Sequence, residues 1–356
     1  MTVLPDARCQ RCEALPQHTI ATGLLSLWFP TEHTCHKAKR ALRCEGHGAS
    51  GTALLDLPMD GHDLLARLDT LCEVLTSREI DESTILMRVS GKALSHADIP
   101  HARPLRRQLA LLRAGPVLEM MAQERLTSVF QPIVHTQHPD QIHGHECLLR
   151  GLDPDGKLLS PGPILEMARD GDFLFQLDLA ARRSAIREAA RHGIPNRVFI
   201  NFAPASIYDP AFCLRSTVRA IEESGLKAGN IVFEVVETDH ARDPKHLQNI
   251  LAHYRQQGFG VALDDIGSGY SSLNLIHQIR PDYLKLDMEL VRGVHQDKYK
   301  AVILKRMLEI AQDLGIATIA EGIETKDEFD WVSDNGADYV QGYYIAKPAT
   351  PPLLNF

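Results

Sequence analysis

The chain is expected to fold as a modified (β/α)8 barrel of the TIM type with an antiparallel first strand, preceded by a small α/β N-terminal domain. Three observations predict this. Apolar strand-like runs begin at residue 128, and from the second run onward they alternate with helix-period segments. The first two runs are too close for a crossover helix and should form a hairpin. No glycine-rich fingerprint follows the first run, as a nucleotide-binding open sheet would carry.

Length and charge bound the rest. The 356 residues accommodate one barrel-sized domain and a smaller one. With 44% hydrophobic and 24% charged residues the composition is that of an ordinary globular protein. No run approaches the roughly 18 apolar residues needed to span a bilayer. The N-terminus lacks the charged-then-apolar layout of a secretory signal, so a cytoplasmic protein without membrane contact is expected. Seven scattered cysteines suit a reducing compartment better than a disulfide framework. Net charge is −8, yet residues 1–110 hold 13 basic and 13 acidic side chains, so the whole surplus lies in 111–356. Such an acidic domain argues against a long nucleic acid as partner. An anionic ligand there would need imported positive charge, and a metal is the obvious source.

In the N-terminal domain (1–105) the runs LLSLWF, HTCHKAKRALR, TALLDLP, GHDLLARLDTLCEVLT and STILMRV read as β-α-β-α-β. A regulatory or partner-binding role is expected there by elimination, since no catalytic constellation is visible. Pro100 and Pro104 mark a boundary, and a helix near 105–124 leads into the barrel domain, 112–356. Its strand-like runs are SVFQPIV, GHECLLR, RVFINFA, NIVFEVV, GVALDD, DYLKLD, ATIAE and DYVQGYYI, with Gly193 and Gly315 stopping two of the intervening helices. The histidines His135, His138, His143 and His145 read as a solvated hairpin.

Barrel enzymes work at the carboxyl ends of their strands. Those ends carry Glu146 and Arg150, Asn201, Glu234 and Glu237, Asp264 and Asp265, Lys285 and Asp287, Glu321 and Glu324, and Gln341. A single aspartate at a strand end is usually a helix cap or a surface charge. Recurrence at five tips is not explained by independent capping. Buried like charges a few Å apart cannot all stay ionised unaided. The oxygen-only donor set points to hard cations such as Mg²⁺ or Mn²⁺. Adjacent aspartates can then serve two ions, one side chain bridging and the other reaching the second ion.

The ordered series Phe130-Gln131-Pro132-Ile133, Glu146-Cys147-Leu148-Leu149-Arg150, Asn201-Phe202-Ala203, Glu234-Val235-Val236-Glu237, Asp264-Asp265-Ile266-Gly267-Ser268-Gly269-Tyr270, Lys285-Leu286-Asp287, Ala320-Glu321-Gly322-Ile323-Glu324 and Gln341-Gly342-Tyr343 resembles the EAL domain family of metal-dependent cyclic di-GMP phosphodiesterases. Two positions depart from the family pattern: Cys147 replaces its signature alanine and Ile266 its phenylalanine. The resemblance implies hydrolysis to the linear 5′-phosphorylated dinucleotide pGpG, with two Mg²⁺ or Mn²⁺ ions per active site. It implies a first ion on Glu146, Asn201, Glu234 and Asp264, the last bridging to a second ion completed by Asp265 and Glu321. Lys285 would hold the attacking water or a phosphate oxygen, and Glu321 would be the general base. Gln131, Arg150, Asp287 and Gln341 would contact the nucleotide. Glu237 and Glu324 would anchor loops, and a homodimer through the barrel is implied.

Two alternatives stand beside this. One is a catalytically silent EAL domain acting as a cyclic di-GMP receptor; silent members usually lack an acidic ligand or the lysine, and this chain lacks none. The other is a barrel enzyme acting on a different anionic substrate. Separately, Cys9, Cys12, Cys44 and His47 have the spacing of a structural Zn²⁺ set, with His33, Cys35 and His36 as rival ligands.

Overall fold

The computed structural model describes residues 14–16, 22–44, 53–61, 63–88, 94–204, 207, 209–236, 244–267 and 272–356. The chain divides into two compact units. The first unit contains β1 (Thr22–Trp28), α1 (Glu32–Ala41), β2 (Leu54–Asp60), α2 (Leu64–Val74), α3 (Ser77–Glu82), β3 (Thr84–Arg88), β4 (Arg103–Pro104), α4 (Leu105–Arg113) and α5 (Gly115–Ala122). Its sheet runs in the order β2-β1-β3-β4, with antiparallel pairings throughout. Leu25, Leu27, Leu55, Leu57 and Ile85 alternate along the strands and join Leu64, Leu68 and Leu71 of α2 in one apolar cluster.

The sequence puts a seam before residue 112, but this unit continues to Gln123 and takes in 162–174 as well. The reason is packing: Leu105, Leu109 and Leu112 lie on one face of α4 and are buried in the first unit's core.

After these come β5 (Leu126–His135), β6 (Ile142–Leu152), β7 (Leu158–Leu159), α6 (Pro161–Asp170), α7 (Leu174–Arg191), β8 (Arg197–Phe202), α8 (Pro210–Cys213), α9 (Arg215–Ser224) and β9 (Ile231–Val236). The chain continues through α10 (Pro244–Gln256), β10 (Gly260–Ile266), α11 (Ser272–Ile279), β11 (Tyr283–Leu286), α12 (Met288–Val291), α13 (Lys298–Leu314), β12 (Ala317–Ala320), α14 (Lys326–Asp334) and β13 (Tyr339–Val340). The sheet order is β5-β13-β12-β11-β10-β9-β8-β6, and β6 pairs back onto β5 to close the ring. β5 is antiparallel to both neighbours, while the other ring pairings are parallel. The expected hairpin and barrel are therefore present. Helix ends follow the local chemistry: Asp297 caps α13 by accepting from Tyr299 N and Lys300 N, and Gly315 ends it at φ +67°. No helix among the described residues is long and apolar enough to cross a membrane.

The lower end of the barrel is filled by one apolar layer, Ile133, Phe199, Val232, Ala262, Tyr283 and Ile319, with Tyr339 packed against it. Here a sequence expectation is corrected. His143 and His145 are buried, not solvated. β6 reaches back to Ile142, and its register against β5 shifts between Ile133 and Val134. That shift leaves His143 as the extra residue of a bulge. Its ring stacks on Tyr339 at 3.7 Å, and Nε2 lies 3.2 Å from the Tyr283 hydroxyl. Burial pushes its pKa down to about 3, so the ring is neutral at ordinary pH. His145 Nε2 lies 2.7 Å from the Leu353 carbonyl oxygen.

Gly144 sits where β6 crosses this layer, and a Cβ there would fall 2.7 Å from the Arg197 carbonyl and 2.9 Å from the Phe199 ring. Gly144→Ala is therefore expected to cost about 1–3 kcal/mol by overpacking and to lower the thermal midpoint by several degrees. Thermal denaturation of the purified variant checks this, and an unchanged midpoint would contradict the close approach.

Candidate active site

The strand period of two builds the site directly on that apolar layer. Moving two residues on from Phe199, Val232, Ala262, Tyr283 and Ile319 reaches Asn201, Glu234, Asp264, Lys285 and Glu321. Tyr339 leads likewise to Gln341, and Gly144 to Glu146. On the reversed strand β5 the step runs backward, from Ile133 to Gln131, which pairs with Glu146 across the hairpin. All eight ring strands thus deliver one polar side chain each to a single layer at the parallel strands' C-terminal end.

Lys285 stands at its centre with its side chain 1% exposed. Its Nζ is 2.8 Å from Glu234 Oε1, 2.9 Å from Asp264 Oδ1, 2.8 Å from Glu321 Oε1 and 3.7 Å from Glu146 Oε1. Glu146 is held from two further sides. Asn201 Nδ2 donates to its Oε1 at 3.1 Å, and Gln341 Nε2 donates to its Oε2 at 2.7 Å. Gln341 Nε2 also lies 3.2 Å from Gln131 Oε1, and Gln131 Nε2 donates to the Ala346 carbonyl.

Two consecutive residues of a regular strand point to opposite faces, yet Asp264 and Asp265 serve the same space. The backbone explains how. Asp265 adopts φ +57°, and the β10–β11 register shifts between Leu263 and Ile266. One oxygen each from Asp264, Asp265 and Glu321 then lie within 4.8 Å of one another. An aspartate tolerates this left-handed conformation better than most side chains. Gly267 follows at φ +108°, where a Cβ would meet Leu290 Cδ1 at 2.1 Å, so glycine is needed to continue the turn.

Charge is out of balance among the described residues here: five carboxylates face one ammonium. Burial raises the pKa of Glu234 well above the ordinary carboxylate range, with Lys285 opposing and Glu146 and Asp264 adding to the rise. The same combination pushes Glu321 up to about 8. Asp265 is raised to about 6, by burial first and then by Asp264. Burial alone would lower the Lys285 ammonium, but Asp264, Glu146, Glu234 and Glu321 override it and hold it well above its usual value. Glu234 Oε2 is buried and takes no hydrogen bond.

Not every expected residue joins the cluster. Asp287 is buried and caps α12, accepting from Glu289 N at 2.7 Å. Glu324 is turned outward onto Arg292, and its N–H donates to Glu328 Oε2 at 2.9 Å. Arg150 Nη1 donates to the Leu149 carbonyl at 2.7 Å. Glu237 lies outside the described residues, as do Cys9, Cys12 and His47 of the zinc set. Cys44 is half-buried, with Sγ 4.0 Å from the Lys39 carbonyl.

Sequence reasoning missed Glu328, which accepts from Gly293 N, Glu324 N and Thr325 N and so braces the loop after Glu321. The Thr325-x-x-Glu328 capping box was its available signal. It also missed the buried Asp178–Arg182 pair behind β8.

Comparison with known proteins agrees with this geometry. The EAL domain model matches residues 115–348. The probable cyclic di-GMP phosphodiesterase PdeG of Escherichia coli (strain K12) is 31% identical over 227 residues, covering 62% of this chain and 44% of PdeG. PdeN of the same organism, also described as a probable cyclic di-GMP phosphodiesterase, is 29% identical, covering 70% of this chain and 48% of its own. The chain therefore spans about half the length of these curated relatives. Among solved structures, the c-di-GMP-bound form of a standalone EAL protein from Vibrio cholerae O395 is 37% identical, with TM-score 0.57 over 63% of this chain and 92% of that one. On its ordered motifs, its ring of one polar residue per strand and these matches, the chain belongs to the EAL domain family.

Proposed function

We propose that the barrel unit hydrolyses cyclic di-GMP to the linear 5′-phosphorylated dinucleotide pGpG, using two divalent cations, Mg²⁺ or Mn²⁺. The observation that carries this is the five-carboxylate, one-ammonium cluster at the strand ends, together with the family's relatives described as cyclic di-GMP phosphodiesterases.

The residues present fit such cations. The donors are oxygens only, which suits hard ions. Glu234 Oε2 is buried without a hydrogen-bond partner, and among the described residues the carboxylates outnumber the ammonium that pairs with them. Glu146, Asn201, Glu234 and Asp264 would hold one ion, with Asp264, Asp265 and Glu321 holding the other. Bound there, the ions would lower the pKa of a water and neutralise charge on the reacting phosphodiester.

The chain's own groups supply the rest. Lys285 is tied to Glu234, Asp264 and Glu321, which takes up its three N–H groups; cations bound to those carboxylates would free one N–H for a phosphate oxygen or the attacking water. Glu321, whose Oε1 lies 2.8 Å from Lys285 Nζ, would take the proton that this water loses. Gln131 and Gln341 reach the same rim and would orient the nucleotide, Gln131 toward a guanine. Arg150 would swing from the Leu149 carbonyl to a phosphate. The apolar layer beneath excludes water from below.

A cytoplasmic homodimer through the barrel belongs to the same proposal. Tyr299, Val302 and Ile303 form an exposed apolar row on α13, with Tyr299 83% exposed. Sedimentation of the purified chain tests it, and a strictly monomeric species would oppose it.

Three outcomes are expected at the site. Incubation with cyclic di-GMP and Mn²⁺ should yield pGpG by chromatography, and chelation should stop the reaction until Mn²⁺ is restored. Nucleotide that is bound but never consumed would turn the proposal into a receptor. Glu146→Ala should lower turnover by about 100-fold or more without lowering the thermal midpoint; near wild-type turnover in Mg²⁺ would contradict the ligand assignment.

The third outcome concerns pH. Asp265 and Glu321 have pKa values raised in the fold, from 3.8 to about 6 and from 4.5 to about 8. Carboxylates raised in this way stabilise the fold below their unfolded values, and that contribution is lost as pH rises through the folded ones. The metal-free protein should therefore lose thermal stability between about pH 5 and pH 8. Saturating Mn²⁺ should flatten that slope, and so should the double variant Asp265→Asn with Glu321→Gln. A metal-free midpoint that climbs over this range would refute the repulsion.

A further inference from the structure

Behind the strands that carry Asn201 and Glu234 lies a buried charged cluster that the chemistry above does not use. Arg182 of α7 is 2% exposed and binds Asp178 one turn earlier, with Nη2 at 2.8 Å and Nε at 3.0 Å from Asp178 Oδ2. Its Nη1 donates to Thr217 Oγ1 of α9 at 2.8 Å and lies 3.4 Å from the Tyr254 hydroxyl of α10. Thr217 and Tyr254 are fully buried. The other oxygen of Asp178, Oδ1, reaches the strand side. It accepts from the backbone N–H of Ala203 at 3.0 Å, just past the end of β8 and two residues beyond Asn201.

The aromatic packing converges on the same two strands. The Arg182 guanidinium lies over the Phe202 ring, 5.4 Å from its centroid. Tyr254 stacks on Phe233 with centroids 4.1 Å apart and planes 10° from parallel. Phe202 follows Asn201 and Phe233 precedes Glu234, so each ring points away from the site on the residue next to a site side chain. Asn201 and Glu234 are themselves direct register partners across β8 and β9. One cluster on the helical side thus grips both strands immediately behind two neighbouring donors.

Stability does not account for its composition. A buried ion pair is commonly no better for stability than apolar side chains of similar volume. Apolar side chains, however, could neither fix the Ala203 amide nor set a direction for the strand tip. The geometry points to Asp178 and Arg182 as positioning residues that hold Asn201 and Glu234 at the spacing a divalent cation requires. This rests on the cation site proposed above.

The test is the double variant Asp178→Leu with Arg182→Met, which removes both charges together and leaves no buried ion unpaired. Mn²⁺ binding is read without substrate, from the thermal shift and from free Mn²⁺ by electron paramagnetic resonance; pGpG formation is measured separately. The variant should unfold near the wild-type temperature without metal, while the Mn²⁺ concentration for half-saturation rises about 10- to 100-fold. A folded variant whose half-saturation stays within about twofold of wild type overturns the positioning role. If that variant does not fold, Thr217→Val with Tyr254→Phe loosens Arg182 while keeping its bond to Asp178. A severalfold rise in half-saturation is then expected, and no change overturns the proposal. Wild type that binds Mn²⁺ but leaves cyclic di-GMP intact would remove the hydrolase reading alone, whereas wild type that binds no Mn²⁺ would remove both.

Discussion

The site depends on a single ammonium group buried among carboxylates. Among the described residues Lys285 is the one cation in contact with Glu234, Asp264 and Glu321, and without it three acidic side chains from three strands would face each other in a low-dielectric interior. One positive charge is not enough for five negative ones. The raised pKa values of Glu234, Glu321 and Asp265 record that deficit as partial reluctance to ionise. The arrangement is thus strained toward accepting further positive charge, and the fold maintains the strain because each carboxylate is fixed to a different strand.

Barrel geometry makes this economical to build. A two-residue step along each parallel strand converts a floor residue into a mouth residue, so an apolar layer and a reactive layer are consecutive turns of one pattern. The reversed strand β5 keeps the rule by running it backward, with Ile133 below and Gln131 above. The polar layer is also braced from outside. Asp178 holds the tip of β8 and Glu328 holds the loop beyond β12, both through backbone N–H groups.

Much of this was legible in the linear chain because strand alternation is local. The eight runs, the hairpin and the recurrence of acidic residues at strand ends follow from period and composition alone. What was not legible depends on departures from period. The adjacent pair Asp264 and Asp265 was expected to serve one site, but the means, a left-handed residue and a register shift, leaves no mark in the residue types. His143 looked solvated because its polar neighbours hid a bulge that turns the ring inward. Glu324 and Asp287 were expected to anchor a loop and to contact the nucleotide; which groups they meet, Arg292 for the one and the Glu289 N–H for the other, depends on tertiary structure. The Asp178–Arg182 pair has the four-residue spacing of a surface ion pair, and only tertiary packing shows it to be buried. Leu105, Leu109 and Leu112 likewise form an ordinary amphipathic row, and periodicity cannot say which core receives it.

The floor of Ile133, Phe199, Val232, Ala262, Tyr283 and Ile319, with His143 and Tyr339 packed beside it, leaves the barrel blind at one end. Arrival and departure therefore share one doorway. Under the proposed hydrolysis, a spent molecule at the rim would obstruct its successor, so throughput would be governed by how quickly the entrance clears as well as by bond breaking.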